Sequence, residues 1–74
     1  MDEKIIKIVK EILEEPINLE TTRDTANNWD SINHIKIILM LQEEFLISFS
    51  AHEISNLNSI KDIINNITEK VSNN

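Results

Sequence analysis

The residues best suited to chemistry are Trp29-Asp30-Ser31-Ile32, where a polar, turn-prone segment gives way to a long apolar-periodic stretch. Upstream, Thr21 through Asn28 has no apolar period. From Ile32 onward, Ile35, Ile38, Leu39, Met40, Leu41 and Phe45 recur at roughly helical spacing. That places the Ser31 hydroxyl in the opening turn of a helix, where backbone N–H groups lack partners and the helix dipole is positive. A phosphate esterified to Ser31 would sit where the backbone favours negative charge, so Ser31 is a candidate attachment point for a phosphate-linked group. Capping alone also explains the dipeptide, with Asp30 as N-cap and Ser31 at the first helical position. Judged on these four residues, capping is the commoner reason for such a sequence.

Other chemistry is harder to find. His34 lies one helical turn after Ser31, placed equally well to touch a phosphate there or to do nothing. A hydrolase triad of Ser31, His34 and Asp30 would lack the held base, the cleft and the oxyanion hole that such a triad needs. His34 and His52 are not four apart on one helix, and the chain has no cysteine, so a zinc site is not expected. Both histidines read as exposed side chains. No catalytic residue, no metal ligand and no enzymatic activity are expected.

The elements that must position Ser31 follow from the apolar pattern. Residues 2–14 read as an amphipathic helix, with Ile5, Ile8, Val9 and Ile12 as its stripe and Ile6 and Leu13 widening it. Pro16 ends it, because the residue before proline is pushed out of the α region. Residues 15–30 form a loop longer than most, held down by Ile17 and Leu19 tucking inward. Trp29 anchors the loop's end; the alternative role for it is partner contact beside Ser31. The second helix spans 31–45, with Phe45 ending it on the buried side. Ser50-Ala51-His52-Glu53 matches a capping box and announces a short helix over 51–56. Ser59-Ile60-Lys61-Asp62 repeats that logic and opens a helix over 59–71, striped by Ile60, Ile63, Ile64, Ile67 and Val71. The tail from Ser72 frays. The expectation is a single all-α domain over residues 1–74, a four-helix bundle with three longer helices and a short third.

Composition narrows the function classes. The chain has 74 residues, no glycine and one proline, which excludes glycine-dependent phosphate loops and dinucleotide fingerprints. Its net charge of −6 disfavours nucleic acid and anionic membranes as partners. A basic surface on another protein is the better match. No apolar run is long enough for a signal peptide or a membrane span, so a soluble cytoplasmic protein is expected; it is read as a monomer. Glu43 and Glu44 put negative charge at the C-terminal end of the second helix, the wrong sign for its dipole, which suggests a binding purpose or added solubility.

Taken together, these residues resemble the acyl carrier protein family along nearly the whole chain. Asp30-Ser31-Ile32 is similar to the family's D-S-L attachment motif. Ile35, Ile37, Ile38, Leu41, Glu43, Glu44 and Phe45 match its second helix without a gap, and Phe49, Leu57, Ser59, Ile60, Ile64 and Ile67 continue the match. The resemblance implies a bundle of acyl-carrier type with 4′-phosphopantetheine, installed from coenzyme A by a phosphopantetheinyl transferase, on Ser31. Acyl or aminoacyl groups would ride on that arm as thioesters and be presented to acyl-loading, condensing or transferase enzymes. Partner recognition is assigned to Trp29, Ile32, Asn33, Ile35, Lys36, Leu39, Glu43, Glu44 and Glu53. Asn33 and Lys36 depart from the acids usual in fatty-acid carriers, and Trp29 replaces a small or aliphatic residue. The pattern from Phe49 to Ile60 is similar to stand-alone carriers of polyketide, nonribosomal peptide or sugar-acylation routes. The competing reading is an unmodified helical interaction module, or a regulator binding a basic partner surface.

Overall fold

The computed structural model describes residues 1–72. Four helices follow one another: α1 (Asp2–Leu13), α2 (Ser31–Phe45), α3 (Ala51–Asn56) and α4 (Ile60–Ser72). Among the described residues there is no strand, only an isolated antiparallel bridge between Thr22 and Ser59. The four-helix architecture agrees with the apolar pattern, and the short third helix with the capping box. The calls on Asn73 and Asn74 lie outside the described residues.

Helix α1 packs against both α2 and α4. Its inward residues are Ile5, Val9 and Leu13, while Ile6, Ile8 and Ile12 flank the core half-buried. Ile37, Ile38 and Leu41 of α2 and Ile60, Ile63 and Ile67 of α4 complete the interior, with Phe49 and Leu57 closing it. β-branched isoleucine serves here because the packing of spaced apolar faces outweighs its modest helix propensity.

Helix ends are set by local chemistry. Without glycine, the chain closes α1 and α2 with left-handed Glu14 (φ 55°) and Leu46 (φ 54°). Their N–H groups bond to the carbonyls of Lys10 and Gln42. Both are αL C-terminal closures, in which a side chain occupies the position glycine normally takes. The capping box of α3 is complete: Ser50 Oγ accepts from Glu53 N–H, and the Glu53 carboxylate accepts from Ser50 N–H at 2.8 Å. At α4 the pattern changes. Ser59 Oγ accepts from Asp62 N–H at 3.0 Å, but the Asp62 carboxylate reaches Asn58 N–H instead of Ser59 N–H.

The loop from residue 15 to residue 30 is built from side-chain-to-backbone hydrogen bonds. The Glu15 carboxylate accepts from the N–H groups of Asn27 and Asn28 at 3.0 and 2.7 Å. Asn28 Nδ2 donates to the Leu13 carbonyl at 2.8 Å, supplying a partner for an orphan at the end of α1. Thr21 and Arg23 bond by backbone to Ile60 and Asn58, tying the loop to the start of α4.

Several expected core positions differ. Leu19 is 45% exposed and does not tuck inward; Ile17 alone anchors that part of the loop. Val71 is 41% exposed, since α4 has run past the end of the bundle's interior. Phe45 and Ile64 are only half-buried against the core, and Phe49 takes the deeper aromatic position.

Candidate functional site

Asp30 adopts an extended backbone, and its carboxylate accepts from Asn33 N–H at 2.8 Å. Its carbonyl accepts the first helical bond, from His34 N–H. Asp30 is therefore the N-cap of α2, and Ser31 is the first helical residue, with its hydroxyl exposed. By helix geometry the N–H groups of Ser31 and Ile32 have no intrahelical acceptor. Asn33 Nδ2 donates to the Asn28 carbonyl at 2.8 Å and Asp30 N–H to the same carbonyl at 3.0 Å, so the approach to Ser31 is fixed from both sides of the cap.

Arg23 brings a cation to the hydroxyl. Its Nη2 lies 3.5 Å from Ser31 Oγ, although the two residues are eight apart in sequence. Nothing in the apolar pattern points to this residue; it arrives because its backbone N–H bonds to the Asn58 carbonyl at 2.8 Å. The signal was the presence of a single arginine in an acidic chain, in the loop leading to Ser31.

His34 is not an exposed side chain; only 4% of it is accessible. Its Nδ1 accepts from the Trp29 indole N–H at 2.9 Å, and its Nε2 meets the Ile54 carbonyl at 2.7 Å. Indole can only donate, so Nδ1 is the acceptor and Nε2 carries the proton. With both nitrogens committed, His34 neither reaches a phosphate on Ser31 nor acts as a base toward its hydroxyl. Trp29 is equally buried, at 4%. Of its two expected roles, the packed anchor is the one the geometry displays, and it presents little surface to a partner.

The remaining expected recognition residues divide into two groups. Ile32, Ile35 and Leu39 form an exposed apolar row along α2, at 71%, 48% and 58% accessibility, with Lys36 beside them in solvent. Glu43 is exposed, whereas Glu44 pairs with Lys4 of α1 at 3.0 Å. Asn33 and Glu53 have internal partners. Glu53 pairs with Lys70 at 2.7 Å and accepts from Asn66 Nδ2. The Lys70 hydrogen bond, the Ser50 N–H and Asn66 lower its carboxyl to about 2, and burial opposes them only in part.

The architecture is shared with known structures. One solved structure, of a provisionally assigned acyl carrier protein from Mycobacterium tuberculosis, superimposes with a TM-score of 0.82 over 90% of this chain and 93% of that one. The chain has the acyl-carrier fold. At 22% identity the likeness concerns the fold. No family model and no curated protein matches this acyl-carrier-fold chain by sequence. Among the described residues, no helix of this acyl-carrier bundle is long and apolar enough to cross a membrane.

Proposed function

We propose that the protein is an acyl carrier whose Ser31 bears 4′-phosphopantetheine. The observation that carries this reading is an exposed serine hydroxyl at the capped start of α2, inside an acyl-carrier fold, with the Arg23 cation beside it. The surroundings fit a phosphodiester: the hydroxyl is open to an incoming transferase, and Ser31 and Ile32 offer N–H groups without helical acceptors. When attached, such an arm supplies a thiol on which acyl or aminoacyl groups ride as thioesters. The cysteine-free chain suits that division of labour, because no protein thiol competes for the cargo.

The protein's own contribution is placement. Asp30 fixes the first turn, and the Trp29–His34 pair locks that turn to α3. The apolar row of Ile32, Ile35 and Leu39 lies on the helix that begins at the attachment residue, as a helix-in-groove contact with acyl-loading, condensing or transferase enzymes requires. Lys36 beside that row makes a basic docking patch a poor match, so shape contributes more than acidity to partner choice. The protein performs no chemical step itself.

The test is conversion in vitro with a phosphopantetheinyl transferase and coenzyme A, followed by intact mass for wild type and Ser31→Ala. A single added phosphopantetheine in wild type and none in the variant is expected. Absence of any addition across several transferases would favour the unmodified interaction module.

A further inference from the structure

We infer that Arg23 is a phosphate-binding residue, a built-in counter-ion for the phosphodiester on Ser31; the inference rests on the reading of Ser31 as the attachment residue. Three observations lead to it. Arg23 Nη2 stands 3.5 Å from the Ser31 hydroxyl, the atom to which phosphorus would be bonded. The arginine is held there by its backbone. Its N–H bonds to the Asn58 carbonyl, its neighbour Thr22 pairs with Ser59, and Thr22 and Thr25 exchange hydrogen bonds across the turn that contains it. The residue is also the sole arginine of a chain with net charge −6.

The electrostatics of the helix start explain why a cation is needed. Asp30, immediately before Ser31, is a carboxylate whose Oδ1 already occupies the N–H of Asn33. The Asp30 N–H is occupied by the Asn28 carbonyl. Two donors that a bare helix N-terminus could offer are thus spent, and a fixed negative charge stands next to the incoming one. A phosphodiester on Ser31 adds a second anion beside Asp30. The guanidinium offers it a charge-assisted hydrogen bond from a planar fork suited to phosphate oxygens. The expected consequence is an arm whose first atoms lean over the loop between α1 and α2, while the apolar row on α2 stays open.

The experiment follows phosphopantetheine attachment to wild type, Arg23→Gln and Arg23→Lys by intact mass. Each protein is then compared before and after attachment by melting temperature and, for isotope-labelled wild type, by the Arg23 Nε–Hε resonance at low and high salt. The Arg23 resonance is expected to move on attachment and to return part-way in high salt, where exposed charges are screened. Attachment is expected to lower the melting temperature more in Arg23→Gln than in wild type, with Arg23→Lys between them. Attachment at Ser31 with the resonance unmoved, and with the same melting change in all three proteins, would overturn the assignment of Arg23 alone. No attachment at Ser31 would overturn the carrier reading and this inference together. The wild-type resonance decides the matter even if a variant folds poorly.

Discussion

The indole N–H of Trp29 and Nδ1 of His34 are 2.9 Å apart, with the two rings tilted by 30° and both residues sealed from solvent. Through the opposite nitrogen, His34 holds the Ile54 carbonyl, so one imidazole connects the loop before Ser31, the first turn of α2 and the short helix α3. Removing the ring leaves a buried indole donor without a partner and a void among apolar side chains. His34→Ala is therefore expected to cost about 2–4 kcal/mol, from a lost pair of hydrogen bonds and a cavity together. Trp29→Phe, which keeps most of the volume, costs less, about 1–3 kcal/mol for the unsatisfied acceptor. Urea titrations of both single variants and the double variant measure the coupling. Strict additivity would show that the two side chains do not act as a pair.

Leu46 and Glu14 hold left-handed backbone conformations without being glycine. Leu46 is 89% exposed, so its side chain contributes almost no packing. Leu46→Gly is expected to stabilise the protein by about 0.5–1 kcal/mol, the relief of the left-handed cost minus glycine's extra entropy when unfolded. A lower melting temperature for that variant would mean the side chain has a contact that outweighs its backbone cost.

Glu53 provides a pH dependence with a definite sign. Its carboxyl is lowered from 4.5 to about 2, with the Lys70 hydrogen bond the largest cause. A group whose folded value is depressed contributes stability above its unfolded value and loses it as pH falls toward the folded one. Stability should therefore decline between about pH 5 and pH 2 more steeply in wild type than in Glu53→Gln. Because the pair is partly open to water, the difference is expected to be about 1 kcal/mol. Parallel stability–pH curves for the two proteins would show that Glu53 contributes no pH-dependent stability.

How far the sequence was legible depends on which forces act locally. Apolar spacing marks α1, α2 and α4, while Ser50-x-x-Glu53 marks the short α3 through a capping box that forms in full. Local patterns could not say that Asn28 would cap α1 through the Leu13 carbonyl, or that Arg23 would meet Ser31. Both contacts depend on how a glycine-free loop folds back on itself. His34 departs from its exposed reading for a related reason. A histidine within an apolar-periodic helix reads as polar until a partner for each nitrogen is known, and those partners lie five and twenty residues away. Phe45 shows the opposite error. Its place on the apolar side of α2 suggests burial, yet it flanks the interior while Ile37, Leu41 and Ile63 fill it. Phe45→Ala is accordingly expected to cost less than Ile63→Ala, which falls in the range of about 2–5 kcal/mol for deep truncations. Thermal melts of the two variants compare them directly.

The charge pattern on α2 separates two residues that the sequence treated alike. Asn33 is an internal strut through its bond to the Asn28 carbonyl, so Asn33→Asp would aim an acceptor at an acceptor and lower stability. Lys36 is free in solvent and is the residue to change. If the carrier reading holds, Lys36→Glu will improve turnover by a fatty-acid ketosynthase with a basic docking patch several-fold at low salt. The gain will shrink once charges beyond about 8–10 Å are screened. Equal turnover at both ionic strengths would move specificity to the apolar row of Ile32, Ile35 and Leu39.

Whether Ser31 is the attachment residue is decided by site-resolved mass spectrometry of the transferase-treated protein. 4′-Phosphopantetheine is expected on the peptide that contains Asp30-Ser31-Ile32, on Ser31 and on no other serine or threonine. Phosphopantetheine on another residue, or a fully unmodified Ser31 peptide after treatment with transferases of broad specificity, would contradict it.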